Sequence, residues 1–175
     1  LLGIDYKNIK NKIDNKENKY QYQDINYSQT TINEGYTYIV SVDLNTLDIK
    51  TKIQLGANNW TTVYATKDSI YLAVTNTFYR LNKYSINGIP EEIGDSSQSG
   101  NITTIFRYEL NGLDVNYKGV IISRGAVNDQ FYLDEYDNHL RVVLQLGNNA
   151  QGNNKLEIYD LNQIDEEGKI SKVAS

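Results

Sequence analysis

The 175-residue chain contains no cysteine and no methionine, one histidine (His139), one tryptophan (Trp60) and one proline (Pro90). Without cysteine, no disulfide staples the fold and no thiolate serves as nucleophile or soft metal ligand. A single histidine excludes a local site built from several imidazoles, the common ligand set of zinc and copper centres. No apolar run approaches the ~18 residues of a membrane-spanning helix, so none is expected. Basic residues are outnumbered, 17 against 22 acidic, and the net charge of -5 disfavours a polyanion, so nucleic acid is not an expected partner. The lysines of Tyr6 to Lys19 are interrupted by Asp14 and Glu17 and read as a solvated segment. Gly-x-Ser-x-Gly, the P-loop and the dinucleotide fingerprint are all missing. A first residue other than methionine suggests a processed or excised piece.

Tyrosine, at 15 residues, far outweighs the three phenylalanines. Its ring suits a half-buried strand face, with the hydroxyl reaching water or a polar partner. Apolar and polar residues alternate with the period of a strand from Tyr36 onward. Short turn sequences break this alternation into hairpins: Thr46-Leu47-Asp48, Thr66-Lys67-Asp68, Asn111-Gly112 and Asp134 to His139. Asn111-Gly112 is expected to form a type I′ turn, in which both central residues take positive φ. Residues 88 to 100, rich in Gly and Ser, read as a long loop. Residues 1 to 35 read as an N-terminal extension or linker, and 36 to 175 as the domain.

The hairpins repeat. Val40 to Ile53, Phe106 to Val120 and Glu157 to Ile170 each carry an acidic residue, then Leu-Asn, a turn and a second strand, with the Leu-Asn pairs at 44, 110 and 161. Val63 to Val74 matches Phe131 to Leu144 in order and turn position. Two hairpins in alternation make a four-stranded antiparallel unit, and units repeated at roughly 40–50 residues are the mark of β-propeller blades. The fold expected is therefore all-β, a partial propeller of about two and a half blades, with a β-sandwich or open meander as the alternative.

Leu55 to Asn76, Thr103 to Gly112 and above all Gly125 to Val143 carry a recognisable text. They resemble a family of secreted or cell-surface bacterial and archaeal proteins with a C-terminal β-propeller domain, distantly like the WD-repeat propellers. Gln130, Phe131, Asp134, Glu135, Tyr136, Leu140, Arg141 and Val142 match that pattern, with Asp129 in place of an expected Asn. The resemblance implies an extracytoplasmic protein longer than this chain. It brings no catalytic residue with it.

The acidic and aromatic knot of Asp134, Glu135, Tyr136 and Asp137 reads first as the corner between two strands. In that corner the acidic residues would cap backbone N–H groups and Tyr136 would cover the hairpin; the functional alternative is a buried ion pair of Asp134 and Glu135 with Arg141 that fixes the register between blades. Trp60 beside Asn58 and Asn59 reads first as a core residue at the start of a strand, and alternatively as a ligand-facing surface, with Asn59, on which a sugar could stack. Asp114 to Gly119 opens like a calcium loop but lacks the later acidic ligands, so no metal and no cofactor are expected. Of three glycosylation sequons, those at Asn26 and Asn101 are expected in loops and the third is at Asn59. These features point to a binding or cell-surface scaffold with an unknown protein or carbohydrate partner, no catalysis of its own, and self-association through open strand edges. The alternative is part of an enzyme whose site is completed by blades outside this chain.

Overall fold

The computed structural model describes residues 25–26, 35–55, 61–78, 100–146 and 153–175. Trp60, Asn59 and the loop residues 88–99 lie outside them. The described residues form three sheets in chain order.

The first sheet is small. Strands β2 (Tyr36–Val42) and β3 (Ile49–Leu55) form an antiparallel hairpin, and β1 (Ile25–Asn26) adds to β3 in parallel. Asp43 closes the hairpin: its carboxylate accepts the N–H groups of Asn45 and Thr46 at 2.8 and 3.0 Å, while Leu47 turns the chain with φ 58°. A short acceptor side chain at a turn start does this work without help from the fold. The N–H of Thr46, then that of Asn45, hold the Asp43 carboxyl below its ordinary pKa.

The second sheet comprises β4 (Thr62–Ala65), β5 (Ser69–Phe78), β6 (Gly100–Asn111) and β7 (Asp114–Arg124), each hydrogen-bonded to the next. The third repeats the plan with β8 (Leu133–Tyr136), β9 (His139–Gln145), β10 (Asn154–Ile164) and β11 (Ile170–Ala174). The paired hairpins expected from the repeat are thus whole antiparallel sheets.

Two turns differ from expectation in an instructive way. Asn111 pairs with Asp114, so the central residues between β6 and β7 are Gly112 and Leu113, and Gly112 alone has positive φ (59°). That is the φ pattern of a type II′ turn, which asks for glycine at its first central position, rather than the type I′ turn expected one residue earlier. The paired positive φ values occur instead at Asp137 (49°) and Asn138 (56°), between Tyr136 and His139.

The acidic residue before each Leu-Asn pair has a local role. Asp160, like Asp43, accepts a backbone N–H two residues on (Asn162, 2.9 Å), and Glu109 meets Lys118 across its hairpin at 2.9 Å. The leucine that follows is exposed at Leu44 and buried at Leu161.

Side chains on the two faces of the second sheet go to two cores. Leu72, Val74, Phe106, Tyr108, Val115 and Val120 cluster with Ile39 of β2. Tyr71, Ala73, Ile105 and Ile121 cluster with Leu133, Leu140, Val142, Leu144, Tyr159, Leu161 and Ile170 of the third sheet. The second sheet therefore lies between the other two. Its link to the third is tightly seated. Gly125 has φ 127°, a Cβ there would stand 2.8 Å from Leu144 Cβ, and Ala126 exchanges both backbone hydrogen bonds with Gln145. Asp129 then caps the 3₁₀ turn Gln130–Tyr132 by accepting the Phe131 N–H at 2.8 Å. Aspartate performs this capping as well as the asparagine expected there.

Candidate functional site

Alternation along β8 sends Leu133 and Glu135 toward the second sheet and Asp134 and Tyr136 away from it. Glu135 reaches across. Its carboxylate accepts the Tyr71 hydroxyl at 2.8 Å and lies 3.4–3.5 Å from the hydroxyls of Thr66 and Ser69, while its N–H donates to the Tyr64 hydroxyl at 3.0 Å. Tyr64 stacks on Tyr71, ring centroids 5.7 Å apart. Burial, and secondarily the Glu135 carboxylate, push the Tyr71 hydroxyl well above its ordinary pKa.

Asp134 and Arg141 stand opposite each other on β8 and β9 and meet at 3.3 Å, with 59% and 41% of their side chains exposed. Arg141 also lies over the exposed Tyr136 ring, 5.1 Å from its centroid. The ion pair is therefore solvent-facing and within one sheet, not a buried pair between sheets, because strand alternation points both residues away from the seam. Only Glu135 of these four crosses to the neighbouring sheet, and its partner is a tyrosine rather than Arg141.

A second carboxylate escaped the sequence reading. Glu157 on β10 is 1% exposed and accepts hydrogen bonds from Ser123 of β7, from Tyr159 at 2.5 Å, from Lys155 at 2.6 Å and from Lys172 of β11 at 3.0 Å. Burial would raise its pKa, but Lys155, then Ser123, Tyr159 and Lys172, outweigh that and hold it at about 2. The signal was legible in the alternation: Glu157 shares the phase of Tyr159 and Leu161, which are buried. A carboxylate that stays ionised this firmly is poorly matched to proton transfer near neutral pH, where the best acid or base has a pKa close to the working pH. It suits a fixed negative anchor.

The seam toward the first sheet is made differently. Tyr108 donates its hydroxyl to the side-chain carbonyl of Gln54, and both residues are fully buried. Nearer the surface, Lys50 pairs with Asp114 at 2.5 Å. Asp114 belongs to β7 and is engaged with this lysine rather than opening a calcium loop, and among the described residues no group of three His, Cys, Asp or Glu could hold a metal ion. Asn101 lies inside β6 with its side chain accepting from Thr77, and the Thr103 of its sequon is fully buried, so this sequon is not in the expected loop. Asn26 likewise stands in β1. The site candidates Trp60 and Asn59 lie outside the described residues. The most exposed aromatic side chain among the described residues, Phe131 at 85%, sits on the 3₁₀ turn.

A family model described as a beta propeller domain matches residues 4–175. The chain belongs to the beta propeller domain family. The second and third sheets are two of its blades, and β2 with β3 forms half of a third by the Leu-Asn equivalence. The match runs through most of the stretch set apart above as an N-terminal extension. No curated protein and no solved structure matches the chain. In this propeller the connection Gly125 to Tyr132 carries the chain from the fourth strand of one blade to the first strand of the next.

Proposed function

We propose that the chain is part of an extracytoplasmic propeller that serves as a binding or cell-surface scaffold, recognising a protein or carbohydrate and performing no catalysis of its own. One observation carries this reading. Asp134, Glu135 and Glu157, the carboxylates most open to a chemical role, are each engaged by partners in the same or the adjacent blade. The extracytoplasmic placement rests on the family resemblance of Gly125 to Val143. The exposed Phe131, presented by the capped turn between blades, is the contact surface for a partner, since an aromatic ring in water gains from stacking on a sugar or apolar side chain.

The test is calorimetric titration of the chain with soluble oligosaccharides and peptides, alongside a panel of generic hydrolase substrates. Binding weakened several-fold by Phe131→Ala, without turnover, is the expected result. Turnover abolished by Asp134→Asn would overturn the scaffold reading in favour of an enzyme.

A further inference from the structure

Asn111 and Gly112 do more than end a hairpin. The side-chain carbonyl carbon of an asparagine is open to attack by the backbone nitrogen of the residue that follows, which makes asparagine thermolabile. A side chain on that next residue hinders the attack, and glycine has none. Space is open as well: a Cβ built on Gly112 would meet nothing within 4 Å, and Asn111 and Gly112 are both exposed. Water reaches both.

The hydrogen bonding leaves the two reacting groups unheld. Asn111 pairs with Asp114, so the ladder between β6 and β7 ends there and the Gly112 N–H lies beyond it. Among the described residues, none accepts that N–H and none hydrogen-bonds the Asn111 side chain. The other described asparagines are hindered or engaged. Asn101 accepts from Thr77 at 2.8 Å, and Asn128 donates to Gln145 at 2.6 Å. Asn138 stands in a turn at positive φ (56°), but His139 follows it. Asn116, in the same hairpin, is held within β7 opposite Glu109 and is followed by Tyr117. The attack requires the Asn111 backbone to leave its extended conformation, which costs only the terminal pair of the ladder.

We propose that Asn111-Gly112 is a site of spontaneous deamidation in the folded chain, which turns a neutral hairpin tip into an acidic one beside the Lys50 and Asp114 pair. The Gly112 nitrogen bonds to the Asn111 side-chain carbonyl carbon and closes a five-membered succinimide ring. The side-chain nitrogen leaves as ammonia, taking up the proton that the Gly112 N–H gives up. Water then opens the ring at either carbonyl and leaves aspartate or isoaspartate. The new carboxylate stands directly across from Asp114, which already holds Lys50 at 2.5 Å. Like charges opposite each other on paired strands repel, so the two carboxylates compete for that lysine.

Ageing the folded full chain in mildly alkaline buffer, followed by tryptic digestion and mass spectrometry, tests it. The peptide 108–118 should gain one mass unit and separate into an aspartyl and an isoaspartyl form, with the change at residue 111 and none at Asn116. Hydroxylamine, which captures the succinimide, should cleave the aged chain between residues 111 and 112. Gly112→Asn, a residue type that tolerates the positive φ of this position, should slow the change at residue 111 several-fold. Asn111→Gln should abolish it, because the longer side chain would have to close a six-membered ring. Circular dichroism of each variant matching wild type shows that the fold survives; if Gly112→Asn unfolds, Asn111→Gln is read in its place. A folded chain that stays unchanged at residue 111, while the same chain in denaturing urea converts fully, overturns the proposal. So does a mass gain at Asn116 instead, or an equal rate in a folded Gly112→Asn.

Discussion

The two seams of this propeller differ in what each side contributes. At the seam between β2 and the second blade, Ile39 is the buried residue that the described part of the smaller sheet adds to the apolar cluster, a neutral hydrogen bond joins Tyr108 to Gln54, and the exposed pair of Lys50 and Asp114 lies nearer the surface. At the seam between the two whole blades both sides contribute aliphatic and aromatic residues, and two carboxylates from the third sheet, Glu135 and Glu157, take donors from the second. A complete four-stranded sheet offers a continuous face, whereas a hairpin offers little more than one strand's alternate residues. The whole-blade seam is therefore larger and sensitive to acid; the half-blade seam is smaller and, among the described residues, holds no buried carboxylate.

The largest expected effect comes from emptying the whole-blade core. Leu140→Ala removes a fully buried side chain from the middle of that seam and should cost about 3 kcal/mol, measured as a shift of the urea midpoint. Acid acts on the same seam. The folded-state pKa of Glu157 is depressed from 4.5 to about 2, so its contribution is complete above the unfolded value and is lost as pH falls through about 2. That loss is on the order of 3 kcal/mol. Hydrogen exchange should show the Ser123 and Glu157 strands losing protection between pH 4.5 and 2 in wild type, and a weaker dependence in Glu157→Gln. Substituting Glu157→Leu at neutral pH should cost about 2 kcal/mol by leaving Ser123 and Tyr159 without an acceptor, while the half-exposed Lys155 and Lys172 turn to water. The smallest effect belongs to the other seam. Tyr108→Phe, which removes only the hydroxyl bonded to Gln54, should cost about 1 kcal/mol at any pH between 3 and 8.

The contrast between the seams was only half legible in the sequence. Strand alternation, short polar turns and the recurring Leu-Asn pairs reveal the hairpins, because period and turn chemistry are local properties of the chain. The acidic knot was visible for the same reason. What it does was not, since alternation divides β8 into two faces without saying which neighbour each will meet. Glu135 turned out to face a tyrosine 64 residues away, and Arg141, the partner expected for it, stands on the opposite face with Asp134. The Asn111-Gly112 turn shows the limit at finer scale. Glycine serves either primed turn, and only the pairing of Asn111 with Asp114 decides between them. For Glu157 the phase was legible but the role was not: it emerges only when its two lysines and Ser123 are brought together from three strands.

Whole blades stack face to face, and Ser123 of one binds Glu157 of the next. A double-mutant cycle with Ser123→Ala and Glu157→Gln, read by urea unfolding, measures that contact. A coupling of about 1 kcal/mol is expected between these residues, which lie 34 positions apart on different sheets. Effects that simply add, within roughly 0.3 kcal/mol, would contradict it.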